Sequence, residues 1–192
     1  MPVEPAVFET ERLRVRLAIE QDAGLIEHLW NDPQVMAHVG FPRGLGITAD
    51  QVLEHDLRRT GDEFERLLVV ELKEPGQAIG QGKMERPHDE GIVEPDIKLL
   101  PAFWGHKYGA EAWRALVAYE FTHTGCEAVL GSPNVENVAS IRMMEAAGAV
   151  RAGEGVYEFP VSMRERTVPV RYHIYRLSRE DWEVSRASGA PG

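Results

Sequence analysis

The chain has 192 residues and a formal net charge of −10, from 31 acidic and 21 basic side chains. This length suits one domain with one hydrophobic core better than two. The acidic excess argues against a protein that binds nucleic acid through a broad basic surface. It fits a cationic partner, such as an amine or a basic peptide, although acidity also confers solubility by itself. No apolar run approaches the roughly 20 residues that span a bilayer, which argues against a membrane protein.

The N-terminus and the cysteine content both indicate a cytoplasmic location. Residues 1–5 lack the basic and apolar regions of a secretory signal. Cys126 is the single cysteine, so it cannot form an intrachain disulfide, and we expect it as a small apolar residue at the start of a strand. The seven histidines show no metal-ligand spacing, so no metal is predicted.

The N-terminal third predicts one strand and two helices. Residues 9–17 alternate between apolar and arginine side chains, which predicts a half-buried strand. The arginines of this strand are Arg12, Arg14 and Arg16. We interpret them as its solvated face, with phosphate binding as the alternative. A helix over 22–30 ends at an Asn-Asp-Pro sequence. A second helix begins at Thr48, which is spaced for a capping box with Gln51.

Three strands are predicted in the middle of the chain. Residues 67–72 and 78–84 are apolar runs on either side of a Pro-Gly turn signal. Gly80 and Gly82 weaken the second of these strands and suggest a bulge or a close backbone approach. Residues 92–100 predict the third strand.

The stretch that follows, residues 99–113, predicts a strand end, a short loop and the start of a helix that continues to His123. The apolar face of this helix is formed by Ala112, Ala115, Leu116 and Tyr119. Gly105 and Gly109 leave backbone exposed where the first N–H groups of a helix are unpaired. Such a helix start favours an anion, because the N–H groups and the helix dipole both attract it. Two glycines alone are more typical of an ordinary turn between a strand and a helix.

The remaining elements are a strand, a helix and two further strands, predicted at 128–130, 137–147, 154–159 and 170–177. Gly148 closes the helix. Residues 185–192 are small and polar, and we expect them to fray. No internal linker resembles a domain boundary, so a single domain over 1–192 is predicted, with its core at about 7–182.

Two motifs stand about 30 residues apart. The first, Trp-Gly-x-x-Tyr-Gly-Ala-Glu-Ala, begins at Trp104 and resembles the acyl-CoA loop of the GNAT N-acetyltransferases. The second, Asn-x-x-Ser-Ile-Arg, begins at Asn137 and is similar to that family's second signature. The resemblance is closest to the branch that includes the ribosomal-protein N-terminal acetyltransferases. It implies an α/β (α+β) GNAT fold, with a mixed, mostly antiparallel sheet of about seven strands and about four helices.

The resemblance implies that the chain transfers the acetyl group of acetyl-CoA to a primary amine, directly within a ternary complex. It assigns cofactor contacts to the loop, the strand before it and the second motif, at Leu99, Leu100, Trp104, Gly105, His106, Lys107, Tyr108, Gly109, Ala110 and Asn137. The family usually has glycine where this chain has Lys107, so this lysine either pairs with a phosphate or alters the loop. Asn137 has a simple helix N-cap as its alternative role. Homodimers are common in the family.

Transfer from a thioester to an amine requires a base for the amine and a donor for the carbonyl oxygen. By alignment with the family's Glu-Ile-Gly-Tyr pattern, Glu94 is the first candidate base, with Asp96 and His88 as alternatives. This chain has Pro95 next, which removes a backbone donor and can bend the strand. The carbonyl donor is expected to be the backbone amide of Leu99 or of the residue after it.

The leaving thiolate requires a proton or a hydrogen bond. Many family members supply it from a tyrosine on the helix of the second motif, but Met144 occupies that place here and cannot donate. Ser140 is therefore the candidate, with Tyr157 and Tyr172 as more remote ones.

The departures from the family pattern leave a second function open, a non-catalytic module that binds or senses acyl-CoA on the same fold. Such a module would bind acetyl-CoA and release no CoA with any amine. A third interpretation is an acyltransferase that uses a longer acyl chain. The acceptor is equally open among a protein N-terminus, a polyamine, an amino acid and an aminated antibiotic.

Overall fold

The computed structural model describes residues 4–188, in which nine strands form two sheets. The strands are β1 (Ala6–Glu9), β2 (Leu13–Leu17), β3 (Leu68–Leu72), β4 (Ala78–Lys83), β5 (Ile92–Val93), β6 (Asp96–Leu99), β7 (Ala128–Gly131), β8 (Val150–Tyr157) and β9 (Val170–Ser178). The α-helices are α1 (Ala23–Asn31), α2 (Pro33–Met36), α3 (Ala49–Val52), α4 (Tyr108–His123), α5 (Val138–Ala146) and α6 (Arg179–Ala187). Within the same residues, no helix is both long and apolar enough to cross a bilayer.

The two sheets differ in strand direction. The first is antiparallel throughout, in the order β1-β2-β3-β4-β6. The second has the order β5-β7-β9-β8 and is parallel between β5 and β7. This mixed, mostly antiparallel architecture with flanking helices confirms the predicted fold class.

Helices cover both faces of the first sheet. Leu68 and Val70 of β3 point to α4 and share a core cluster with Leu116, whereas Val69 points to the opposite face and shares a cluster with Ile26 of α1. A strand that buries both faces places successive apolar side chains on opposite sides in this way. The sheet is therefore a central layer between α4 and the helices of the N-terminal half.

The predicted single strand over 92–100 is wrong, because Pro95 divides it. The chain forms β5 before this proline and β6 after it, and the two strands belong to different sheets. Proline cannot donate a ladder hydrogen bond, so continuous pairing ends there. The consequence is a gap between β6, which pairs with β4, and β7, which pairs with β5 and β9.

The strand predicted over 9–17 is confirmed as β2 but begins later than expected, and residues 6–9 form a separate strand, β1, that pairs with it as a hairpin. The additional β1 and the division at Pro95 account for the difference between about seven expected strands and nine. The solvated-face interpretation fails for Arg16, which is 7% exposed. Its guanidinium donates to Asp22 at 2.7 and 2.9 Å and to Glu71 at 2.7 Å. These hydrogen bonds, Asp22 first, hold the pKa of Arg16 above its ordinary value.

Several local predictions are confirmed. The helix predicted over 22–30 is α1, and the Thr48 hydroxyl accepts from the Gln51 amide at 3.3 Å in the capping box. A Cβ on Gly80 would overlap the backbone of β6, which is the close approach expected there. Cys126 is fully buried just before β7, and burial raises the pKa of its thiol.

The C-terminal prediction needs a correction. Residues 185–187 belong to α6 rather than to a frayed tail, and residues 189–192 lie outside the described part of the chain. The Ser178 hydroxyl caps this helix by accepting from the Asp181 amide at 3.1 Å. The Ser-x-x-Asp spacing is the signal that could have predicted α6.

Candidate active site

The end of β6 presents one backbone amide to the gap between the sheets. The Leu100 N–H donates to the Ile79 carbonyl at 2.9 Å, so it belongs to the pairing with β4. Because the groups of an antiparallel strand alternate in direction, the Leu99 N–H and C=O point the other way, towards the gap. The Trp104 indole N–H donates to the Leu99 carbonyl at 2.9 Å. Of the two amides predicted as carbonyl donors, only that of Leu99 is therefore directed into the gap.

The start of α4 leaves backbone donors uncapped. Lys107 is the N-cap residue and its side chain makes no capping hydrogen bond. Within the described chain, the N–H groups of Tyr108, Gly109 and Ala110 have no protein acceptor. Gly105 and Lys107 both have positive φ, at 80° and 65°. This left-handed backbone turns the chain into the helix and leaves the three N–H groups at an exposed end.

A set of polar contacts joins this helix start to the β1–β2 turn, and we call it the Arg12–Glu111 clamp. The Glu111 carboxylate accepts from the Thr10 hydroxyl at 2.5 Å, from the Arg12 amide at 2.9 Å and from the Arg12 Nε at 2.7 Å. A second guanidinium nitrogen of Arg12 donates to the His106 carbonyl at 3.1 Å, and the group lies over the Tyr108 ring at 4.5 Å from its centroid. The clamp thus holds both the loop and the first turn of α4.

The charge state of Glu111 follows from these contacts. Partial burial acts to raise its pKa, but the hydrogen bonds from Thr10 and Arg12 and the charge of Arg12 outweigh burial, so the pKa is lowered. The clamp is consequently an ion pair at neutral pH. The contact of Arg12 with Glu111 was not visible from sequence spacing, because the two residues are 99 positions apart.

Gly109 brings the two sequence motifs together. A Cβ on this glycine would lie 3.7 Å from Leu99 Cδ1 and 3.7 Å from Met143 Sδ. The first turn of α4 is thus packed between β6 and α5. A side chain longer than alanine at position 109 would have to displace one of these neighbours.

The second motif places Asn137 and Ser140 at the start of α5. The Asn137 side-chain oxygen accepts from the Ser140 amide at 3.1 Å, which is the N-cap role. Its Nδ2 and the Ser140 hydroxyl make no hydrogen bond to any residue in 4–188, so both are free to bond to water or to a ligand. Met144 is 5% exposed, and a Cβ on Gly131 would overlap its Cε. The place of the family's tyrosine is therefore filled by apolar packing.

A cavity of about 370 Å³ lies on the face of the first sheet opposite α4. Asp96 and Lys98 of β6 line it, and they form an ion pair with each other. Its apolar wall comes from the N-terminal helices and the loop after them, through Trp30, Met36, Val39 and Leu45. This volume lies in the range of small-molecule sites.

The candidate bases and remote acids are placed differently. Glu94 is exposed at the break between β5 and β6, and its amide donates to the Glu85 carboxylate at 2.9 Å. Of the described side chains, Asp96 lines the cavity, and neither Glu94 nor His88 does. Tyr157 is 53% exposed on β8, and the Tyr172 hydroxyl lies against Gly155. Asp96 is thus the one of these candidates that lines the cavity, on the strand that ends at Leu99 before the loop.

Sequence reasoning missed a long-range contact of the loop that contains Leu45, one of the cavity residues. Residues 158–169, between β8 and β9, pack on the loop after α2. Arg43 donates to the Glu165 carbonyl at 2.5 Å, and Arg166 donates to the Leu45 carbonyl at 2.8 Å. No local sequence pattern signals contacts between residues about 120 positions apart.

Across residues 4–188, no three histidine, cysteine or acidic side chains converge as a metal site.

The acetyltransferase (GNAT) domain family matches residues 12–150 of the chain. An uncharacterized N-acetyltransferase, p20 of Bacillus licheniformis, is 25% identical over 148 residues, which are 75% of this chain and 82% of that protein.

Two solved structures share the architecture. Spermidine N-acetyltransferase from Vibrio cholerae, in complex with CoA and spermine, superposes with a TM-score of 0.75 at 20% identity, over 91% of this chain and 99% of that one. The ribosomal-protein-S5-alanine acetyltransferase from Vibrio fischeri gives a TM-score of 0.69 at 16% identity, over 91% and 97%. At these sequence identities, the similarity to the two structures shows a shared fold and no more.

Proposed function

Because the chain belongs to the GNAT acetyltransferase family, and by that membership is an acetyl-CoA-dependent N-acetyltransferase, we propose that it acetylates a primary amine by direct transfer in a ternary complex. The proposal is supported by three features at β6 and at the helix that follows it. These are the uncapped start of α4, the Leu99 amide in the gap and the cavity beside β6.

The start of α4 suits the pyrophosphate of CoA. The N–H groups of Tyr108, Gly109 and Ala110 are donors without a protein acceptor, and the helix dipole adds positive potential at the same point. Lys107 supplies a full positive charge beside them. The free Nδ2 of Asn137, the N-cap residue of the adjacent α5, is a donor for an amide carbonyl of the pantetheine arm.

The chemistry needs the thioester carbonyl to be polarised while the amine attacks. The Leu99 N–H is the donor proposed for the oxygen that becomes negative in the tetrahedral intermediate. The amine nitrogen forms a bond to the carbonyl carbon, the carbon–sulfur bond breaks, and the amine loses one proton. The Ser140 hydroxyl is proposed to stabilise the thiolate by a hydrogen bond, since serine is too weak an acid to be fully deprotonated.

The proton of the amine requires an acceptor on the cavity side. We propose Asp96 rather than Glu94, because Asp96 lines the cavity on β6 whereas the Glu94 carboxylate is exposed at the break before it. The ion pair with Lys98 holds the Asp96 carboxylate in place. A carboxylate in this position can accept the proton through a water molecule.

Release of CoA from acetyl-CoA, followed with a thiol reagent with and without an amine, tests the proposed function. We expect release that depends on the amine, with acetylated amine in equal amount by mass spectrometry. A protein that binds acetyl-CoA in calorimetry and releases no CoA with any amine would contradict catalysis. It would be the non-catalytic module instead.

Exchange of each carboxylate for its amide tests the assignment of the base. We expect Asp96→Asn to lower kcat by about 100-fold, the typical loss for a general base, while Glu94→Gln stays within about threefold of the wild type. Both variants should bind acetyl-CoA as the wild type does. The opposite ranking of the two variants would assign the base to Glu94.

A further inference from the structure

The cavity beside β6 has a charge balance unlike that of the whole chain. The chain carries 31 acidic and 21 basic side chains. The cavity is lined by more cations than anions, with Arg59, Arg66, Lys83 and Lys98 against Asp56, Glu65 and Asp96. A site built for a polycation would show the reverse balance.

The acidic side chains of the cavity are already engaged. Asp96 pairs with Lys98, and the Glu65 carboxylate accepts from the Asp62 amide at 3.4 Å. Burial favours the neutral form of Asp56 and raises its pKa, although the charge of Arg59 acts in the opposite direction. A ligand with several ammonium groups would therefore meet carboxylates that are paired, hydrogen-bonded or partly desolvated.

The cations, in contrast, keep donors to spare. Arg59 has no carboxylate within 4 Å among residues 4–188, and Lys83 has only Glu85, at 3.6 Å. Arg66 uses one guanidinium nitrogen on the Ala18 carbonyl at 2.9 Å. Guanidinium groups with open donors match the geometry of a carboxylate.

The opposite side of the cavity is apolar and held in place. The Trp30 indole N–H donates to the Gln81 side-chain oxygen at 2.7 Å, which fixes the ring against the sheet. Met36 is buried beside it, with Val39 and Leu45 completing the wall. An apolar side chain of a ligand would replace water on this wall.

We infer that the acceptor amine carries a carboxylate and an apolar side chain, as an apolar α-amino acid does, and that it is not a polyamine. This inference rests on the proposed function, because it names the acceptor of the same site. The carboxylate would lie towards Arg59, the side chain on the Trp30 wall and the amine beside Asp96.

The sharpest test compares leucine with leucinamide, which differs from it only in the carboxylate, and with the polyamine spermidine. We expect kcat/KM for leucine to exceed that for leucinamide and for spermidine by about tenfold or more, the order expected for loss of one charged contact. The amine of leucinamide is less basic, so more of it is neutral at pH 7, and a preference for leucine cannot arise from amine basicity. Equal or greater kcat/KM for leucinamide or spermidine would overturn the inference.

A pair of neighbouring arginine variants locates the effect. Arg59→Gln should lower kcat/KM for leucine by about fivefold or more and leave that for leucinamide within about twofold. Arg58→Gln is the matched control, because Arg58 is exposed as Arg59 is, but pairs with Glu54 at 3.9 Å and does not line the cavity. Equal losses for both acceptors in Arg59→Gln would contradict carboxylate recognition.

Calorimetry separates this inference from the proposed function. Leucine and leucinamide are titrated into the protein saturated with CoA, and we expect leucine to bind about tenfold more tightly. If no amine released CoA, the proposed function would fail while the binding preference would still decide the chemistry of the ligand. Equal binding of the two compounds would overturn the inference whatever the turnover.

Discussion

Lys107 has a backbone conformation that glycine adopts more readily. Its φ of 65° lies in the left-handed region, which costs a residue with a Cβ roughly 1–2 kcal/mol. The resembling family usually has glycine at this position, and the geometry gives the reason. A lysine here accepts local strain at the helix start where a phosphate is proposed to bind, as strained residues at functional sites do.

Two variants of Lys107 separate its conformation from its charge. Lys107→Gly should raise the free energy of unfolding by up to about 1 kcal/mol, since strain is relieved but the unfolded chain gains entropy. Lys107→Met keeps the strain and removes the charge, so its stability should not rise. Both should weaken acetyl-CoA binding by about threefold to tenfold, because each loses one charged contact. Wild-type affinity in Lys107→Met would show that the lysine does not contact a phosphate.

At the scale of elements, the Arg12–Glu111 clamp links a turn of the first sheet to the helix that presents the uncapped amides. The Glu111 side chain is 13% exposed and that of Arg12 is 43% exposed, so the pair is only partly screened by solvent. Because the same arginine also bonds the His106 carbonyl, loss of the clamp would loosen the loop and the helix start together.

Arg12→Gln tests the clamp. We expect the free energy of unfolding to fall by about 1–2 kcal/mol and the Kd for acetyl-CoA to rise by about fivefold or more, since the loop would no longer be held in the binding conformation. Arg151→Gln is the control, because it removes an exposed pair with Glu154 and should change both quantities little. A loss of stability with unchanged acetyl-CoA affinity would limit the clamp to a role in folding.

The pH dependence of the clamp has a defined sign. The pKa of Glu111 is lowered in the folded chain, so its contribution to stability is present at neutral pH. It is lost as the pH falls through the lowered pKa. Arg12→Gln should therefore differ most from the wild type in stability near neutral pH and least in strong acid.

At the scale of the whole molecule, a buried carboxyl makes folding stability depend on pH in the sense opposite to that of Glu111. Glu120 of α4 is fully buried and accepts from the Glu85 amide at 3.1 Å. Burial is the main cause that raises the pKa of Glu120 to about 7. The hydrogen bond from the Glu85 amide lowers this pKa, and the negative charge of Glu85 raises it. The folded chain thus holds this proton at pH values where the unfolded chain has released it.

Glu120→Gln tests this effect. The ordinary pKa is 4.5 and the folded value is about 7, so the wild type should lose up to about 3 kcal/mol relative to the variant as the pH rises from 4.5 to 8. Denaturant unfolding at several pH values measures the difference. Glu183→Gln, at an exposed carboxylate, should show no such trend. A constant difference between Glu120→Gln and the wild type would contradict the buried proton.

The global charge of the chain did not predict the character of its cavity. The excess of acidic residues favoured a cationic partner, yet the side chains that line the cavity include Arg59, Arg66, Lys83 and Lys98. Net charge sums over the whole surface, whereas recognition depends on the few groups that one cavity brings together. For this reason the acceptor class was open from the sequence.

The sequence by itself determined the local features of this protein. The capping box at Thr48, the extent of α4 and the glycine-rich helix start depend on residues within one or two turns of each other, and their chemistry is legible in short segments. The two motifs are equally local, and their residue patterns alone indicated the family to which the chain belongs. Pro95 was recognised as a disruption of its strand, although its outcome, two strands in two sheets, depended on which partners each half could pair with.

Only the tertiary structure decided which distant residues meet. Three contacts join segments that are separate in sequence or on opposite sides of a break. They are the burial of Arg16 between Asp22 and Glu71, the contact of Arg12 with Glu111 and the placement of Asp96 in the cavity. Local periodicity reports which face of an element is apolar, but not what covers the polar face. That covering layer is set by the packing of the whole chain, because polar groups become buried wherever a partner group can satisfy their hydrogen bonds.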